Sequence, residues 1–232
     1  MPRFKQGPRC ALDPAGPCRQ DHCPGSQADC RFITRMDRNA LYLTYDDGPN
    51  GDTTLRLLDL LDRENAHATF FVSGESMTTA SDAAIIRATA AHHHTIGNHG
   101  LRHLPNVCPE FCTMARRLWE ECSVATTLIR PPFGSRCAAN NVLRTHRSAV
   151  GLGWSLAFSD WLPVDLDEAK AQAEAQVAPG TIVLLHDGVA PGSRYADRSQ
   201  VLPLTQLLVR VARDQGLSLE SIPSDLHRYG NR

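Results

Sequence analysis

Apolar residues along this 232-residue chain fall into short runs that switch between a period of two and helical spacing. Leu41-Tyr42-Leu43-Thr44-Tyr45 alternates in character and is rich in strand formers, and Gly48-Pro49 breaks it at once. It therefore predicts a strand whose carboxyl end carries Asp46 and Asp47. Over Thr53–Glu64, residues Leu55, Leu57, Leu58 and Leu61 recur at helical spacing, and Ala68-Thr69-Phe70-Phe71-Val72 predicts a second strand. The pattern continues with helices over Ser81–His92 and Pro109–Thr126, then extended segments over Leu128–Arg130 and Ala149–Gly153. An alanine-rich helix over Asp167–Val177, a strand over Thr181–Leu185, a helix over Ser199–Asp214 stopped at Gly216, and a last strand over Leu217–Ile222 complete it. About seven such alternations predict an α/β fold built on a parallel barrel.

Composition agrees with one globular domain: 42% of residues are hydrophobic and 21% charged, enough to bury a large core. The formal charge of −1 excludes an electrostatic nucleic-acid binder, and no apolar run reaches the roughly 20 residues of a membrane span. Cysteine changes the picture. Cys10, Cys18, Cys23 and Cys30 crowd a Pro/Gly-rich stretch, while Cys108, Cys112, Cys122 and Cys137 lie further on, eight in all. An even number points to disulfides and an oxidising compartment. A zinc knuckle is the lesser alternative, because spacings of eight, five and seven lack tight pairs. The chain divides into a short cysteine-rich extension, 1–37, and a catalytic-sized domain, 38–232. Met1-Pro2-Arg3-Phe4-Lys5 leads into no apolar stretch, so no signal peptide is visible, and the chain reads as the mature form of a secreted protein, expected to be monomeric.

Candidate chemistry begins with Asp46 and Asp47. Strand carboxyl ends are where α/β folds gather reactive groups, and two adjacent carboxylates raise each other's proton affinity unless a cation offsets them. The plainer reading is a solvated turn capping the helix that begins near Thr53. Downstream, His99 and His103 lie four apart, a spacing that puts two imidazoles on one side of a helical turn, within reach of one metal ion. The run His92-His93-His94 reads as a solvated helix end.

Five stretches, in order, resemble the polysaccharide deacetylases of carbohydrate esterase family 4, which share the NodB homology domain. Thr44-Tyr45-Asp46-Asp47-Gly48-Pro49 is similar to the family's first motif, and His99 to His103 falls where the second supplies two metal ligands. Arg130-Pro131-Pro132-Phe133-Gly134 resembles the third, Asp160-Trp161 the fourth and Leu184-Leu185-His186 the fifth. The second motif departs from the family at Gly100, in place of Ser or Thr, and at Leu104, in place of Pro; the third has Phe133 where Tyr is usual.

The resemblance implies a distorted (β/α)7-type barrel and one divalent ion held by Asp47, His99 and His103. One carboxylate and two imidazoles leave coordination positions open, as catalytic sites do, and suit zinc first, with cobalt, nickel or ferrous iron as alternatives. It also implies Asp46 as general base held by Arg130, His186 as general acid oriented by Asp160, and the Phe133 backbone N–H as an oxyanion donor. Trp161 and Leu184 are implied to line the pocket for the acetyl methyl. The expected substrate is a carbohydrate polymer or oligomer carrying N-acetylglucosamine, with chitin or chitooligosaccharides ahead of peptidoglycan and of acetylxylan, an ester. A carbohydrate-binding cell-wall protein without turnover is the reading from another class. With aromatics at only 6%, sugar binding is expected to be short or shallow.

Overall fold

The structure, a computed structural model, describes residues 32–104, 108–135, 139, 142, 143, 146 and 148–226. Most of the extension lies outside the described residues, with its four cysteines and Cys137, and so do the disulfides expected of them. Cys122 is buried and carries a free thiol.

Strands β1 (Phe32–Ile33), β2 (Ala40–Asp46), β3 (Thr69–Val72), β4 (Thr95–Asn98), β5 (Leu128–Ile129), β6 (Val150–Leu152), β7 (Leu156–Ala157), β8 (Ile182–His186) and β9 (Ser218–Leu219) form one sheet. Helices α1 (Gly51–Arg63), α2 (Ala80–Ala91), α3 (Cys108–Cys122), α4 (Leu166–Gln176) and α5 (Val201–Asp214) alternate with them. The order is β1-β6-β5-β4-β3-β2-β8-β7, with β9 paired to the start of β2, and every strand pair is parallel. The sheet curls into a half-barrel with helices outside, which is the distorted (β/α)7-type architecture expected. Phe32 and Ile33, on the extension side of the boundary expected at 37/38, belong to this sheet as β1. β1 pairs with β6, and Met36 N–H donates to the Gly180 carbonyl ahead of β8 (2.8 Å), so residues 32–36 touch both β6 and the approach to β8.

Period-two alternation explains where β2 sends its side chains. All seven residues are buried. Leu41, Leu43 and Tyr45 join the outer core with Leu57, Leu61, Leu204 and Leu208 of α1 and α5, whereas Ala40 and Tyr42 face the barrel interior with Phe71, Leu128, Leu152 and Ile182. Burying each large apolar side chain stabilises the fold by roughly 1.5–3 kcal/mol. Thr44 and Asp46 continue the inward set at the carboxyl end. β8 runs beside β2 with Asp46 opposite His186, and its Val183 and Leu185 also point to the outer core. Leu184 and His186 therefore face the same side as Asp46.

The pattern does not predict β1, β4 or β7. β4 is Thr-Ile-Gly-Asn with one aliphatic residue, and β1 and β7 are two residues long. Asp46 and Asp47 do not cap α1; its N-cap is Asn50, without a side-chain cap bond. His94 also differs from the solvated helix end expected, being 5% exposed, while His92 and His93 are exposed. Its ring accepts from the Ala68 N–H (3.2 Å) and packs edge-on against Phe70.

Candidate active site

Two strand ends converge on one cluster. Asp47, just past β2, and His99 and His103, after β4, bring one carboxylate oxygen and two ring nitrogens within 4.8 Å of one another. Asp47 Oδ1 is 3.4 Å from His99 Nε2 and 3.5 Å from His103 Nε2. His99 Nδ1 donates to the Arg130 carbonyl (2.8 Å), which places a proton on Nδ1 and turns Nε2 toward Asp47. A lone pair facing a carboxylate oxygen repels it unless a cation lies between. Asp47 Oδ1 is also buried without a hydrogen-bond partner among the described residues, a costly state that a bound ion would relieve. The donor set thus fits a metal ion. Burial lowers the pKa of His103, helped by His99 and opposed by Asp47 and Asp46, which favours the neutral, ligating form.

The two histidines are not on a helical turn. Residues 99–104 form an irregular loop, because Gly100 adopts φ 95°, outside the helical region. Asn98 holds this loop: its Oδ1 accepts from Gly100 N–H and its Nδ2 donates to the Phe111 carbonyl, both at 2.8 Å.

Asp46 sits beside the cluster, held by Arg130 Nη1 at 2.8 Å. Arg130 is fully buried, stacks 4.1 Å over Phe71, and spends its other donors on Thr44 Oγ1 and the carbonyls of Leu152 and Gly153. Burial lowers its pKa and the Asp46 charge opposes this; a guanidinium stays ionised regardless. The pair aims the Asp46 carboxylate.

Opposite, His186 Nδ1 bonds Asp160 Oδ1 (2.8 Å) and the His186 backbone N–H donates to Asp160 Oδ2 (2.7 Å). Burial alone would lower the His186 pKa, but the Asp160 hydrogen bond and charge, with smaller help from Asp46 and Asp47, raise it. A cavity of about 540 Å³ joins these groups; Asp46, Asp47, His99, His103, Phe133, Trp161, Leu184 and His186 all line it. Arg130 and Asp160 stand behind its wall and act through Asp46 and His186. Phe133 takes φ 58°, is 71% exposed, and sets its ring edge-on to His103 with centroids 4.4 Å apart.

The polysaccharide deacetylase family profile matches residues 34–152. The chain belongs to this family. A chitooligosaccharide deacetylase of Bradyrhizobium sp. (strain ANU 289) is 31% identical over 199 residues, covering 79% of this chain and 89% of the relative. A peptidoglycan-N-acetylglucosamine deacetylase of Bacillus cereus is 30% identical, covering 78% and 68%. Among solved structures, a peptidoglycan N-acetylglucosamine deacetylase superposes with a TM-score of 0.74 at 23% identity, covering 84% of this chain and 92% of that one.

In this polysaccharide deacetylase all ten residues singled out from the sequence come together at one end of the barrel. Sequence reasoning missed Thr44, Asn98, Trp154 and the loop Ala190–Arg194 with Arg198, which complete the site. Thr44 alone carried a signal, as the inward position two before Asp46. It also missed Asp187, fully buried, whose carboxyl burial pushes up to about 7.

Proposed function

We propose that the chain is a secreted, zinc-dependent amidohydrolase that removes N-acetyl groups from N-acetylglucosamine units of chitooligosaccharides. The observation that carries this is the orphaned Asp47 Oδ1 between two histidine nitrogens, in a cavity that also holds an Arg130-paired Asp46 and an Asp160-paired His186. Similarity to the Bradyrhizobium chitooligosaccharide deacetylase supports the substrate.

Asp47, His99 and His103 would hold a zinc ion, which would supply a Lewis acid and make hydroxide available near neutral pH. Asp46, aimed by Arg130, accepts the proton of the attacking water. The Phe133 backbone N–H donates to the oxyanion that develops on the acetamide carbonyl; such a donor is worth about 3 kcal/mol. Trp161 and Leu184 provide apolar wall for the acetyl methyl. His186 delivers its proton to the leaving amine, and Asp160 keeps the imidazole protonated and turned toward the cavity, a contribution of roughly 10²- to 10⁴-fold.

The Bacillus cereus relative favours a second reading, peptidoglycan as the polymer. Acetate release from chitooligosaccharides, peptidoglycan and acetylxylan, with and without chelator, separates these. Chelator-sensitive release from chitooligosaccharides is expected. Sugar binding by the zinc-loaded protein with no acetate freed from any substrate would show a binding protein instead.

A further inference from the structure

Asp187 follows the general acid His186, points away from the cavity, and meets the turn that carries Asp46 and Asp47. Its Oδ2 accepts from the Thr54 hydroxyl (2.6 Å), and that same hydroxyl accepts from the Asn50 backbone N–H (2.8 Å). Asn50 Nδ2 in turn donates to the Asp187 carbonyl (3.0 Å). The carboxyl group lies flat on Gly48: a Cβ there would meet its oxygens at 2.4 and 2.5 Å. The approach is reciprocal, since a Cβ on Gly188 would meet the Asp47 carbonyl carbon and oxygen at 2.0 Å, and Gly188 N–H donates to the Asp46 carbonyl (3.2 Å). Two glycines thus let the ends of β2 and β8 interlock, with one buried carboxyl group as the wedge.

That wedge has something to hold. Asp47 sits at φ 69°, in the left-handed region that non-glycine residues enter infrequently and that its surroundings hold here. Ser76 Oγ donates to the Asp47 carbonyl, and Ser73 N–H donates to the Gly48 carbonyl (3.1 Å), from the β3 side. Asp187, with Thr54 and Asn50, closes the turn from the β8 side.

We propose that Asp187 is a positioning residue for the metal site: through Gly48, Asn50 and Thr54 it imposes the strained backbone that aims the Asp47 carboxylate at His99 and His103. Because it fastens the same turn to the strand bearing His186, it also sets the distance between the acid and base arms. The inference rests on the proposed metal-dependent function, yet its main readout needs no substrate.

The test is Zn²⁺ affinity by chelator competition on the full chain, alongside acetate release. Asp187→Ala, which loses the acceptor and the wedge, is expected to weaken Zn²⁺ binding about 10- to 100-fold, as supporting residues of metal ligands commonly do, and to lower kcat with KM little changed. Asp187→Asn keeps the shape and an acceptor for Thr54, so it recovers most of both losses. A folded Asp187→Ala protein that binds Zn²⁺ within twofold of wild type overturns the proposal, and so does an Asn variant as weak as Ala. Should Asp187→Ala fail to fold, Thr54→Val decides: weakened Zn²⁺ binding supports the wedge, and unchanged binding overturns it. If wild type frees no acetate, the proposed function fails, but the Zn²⁺ comparison still stands.

Discussion

His186 and Asp160 are joined twice, ring Nδ1 to Oδ1 at 2.8 Å and backbone N–H to Oδ2 at 2.7 Å, so one carboxylate sets both the orientation and the charge of the imidazole. The His186 pKa is raised on balance, so its acid form persists to higher pH than that of an ordinary histidine. Asp160→Asn removes the charge that outweighs burial. The alkaline limb of the pH profile for acetate release should then move to lower pH, with a rate loss of roughly 10²-fold or more. An unmoved limb would remove His186 from the role of acid.

The adjacent aspartates separate by partner. Asp46 bonds Arg130 at 2.8 Å, while Asp47 Oδ1 faces two histidine nitrogens. Asp46→Asn should abolish turnover while retaining metal near wild-type stoichiometry, and Asp47→Asn should lose the metal. Metal content by elemental analysis after dialysis checks both, and the reverse pattern would exchange their roles.

Arg130 is 0% exposed, and its removal strands the Asp46 carboxylate in the barrel. Arg130→Met should cost about 3–5 kcal/mol, the usual penalty for breaking a buried pair from one side. Urea unfolding measures it. Asp46→Asn/Arg130→Met should recover part of the loss, because no unpaired charge is left buried.

His94 makes the fold acid-sensitive at the end of the barrel away from the site. Burial lowers its pKa from 6.5 to about 4; Asp62 opposes this, and His67, His92 and His93 add to it. The unfolded chain therefore binds the proton more readily. The contribution is complete above pH 6.5 and is lost as pH falls toward 4, about 3 kcal/mol in all. Protonation also ends the Ala68 N–H bond to Nδ1. Denaturant unfolding of His94→Gln between those limits should show a loss smaller by about that amount.

Legibility in the sequence followed how local the cause was. β2 and β8 were readable because both faces of each strand are lined by residues of matching character, and α1 and α5 because their leucines recur every three or four positions. β4 was not: its sequence, Thr-Ile-Gly-Asn, owes its extended form to β3 and β5 on either side. The helical turn expected for His99 and His103 failed at one residue, Gly100, although both rings still come together with Asp47. Asp187 was unreadable, since an acid before a glycine at a strand end looks like a solvated turn until Thr54 and Gly48 close over it.

The sequence by itself determined the strand–helix alternation, the inward phase of Thr44, Asp46, Leu184 and His186, and the set of donors available to a cation, because each depends on residue type and on spacing of a few positions. Tertiary structure decided which groups meet: Arg130 reaches Asp46 across 84 positions and Asp160 reaches His186 across 26. It also decided their charge states. Burial and neighbouring charge set proton affinity, and both exist only once distant strand ends share one cavity.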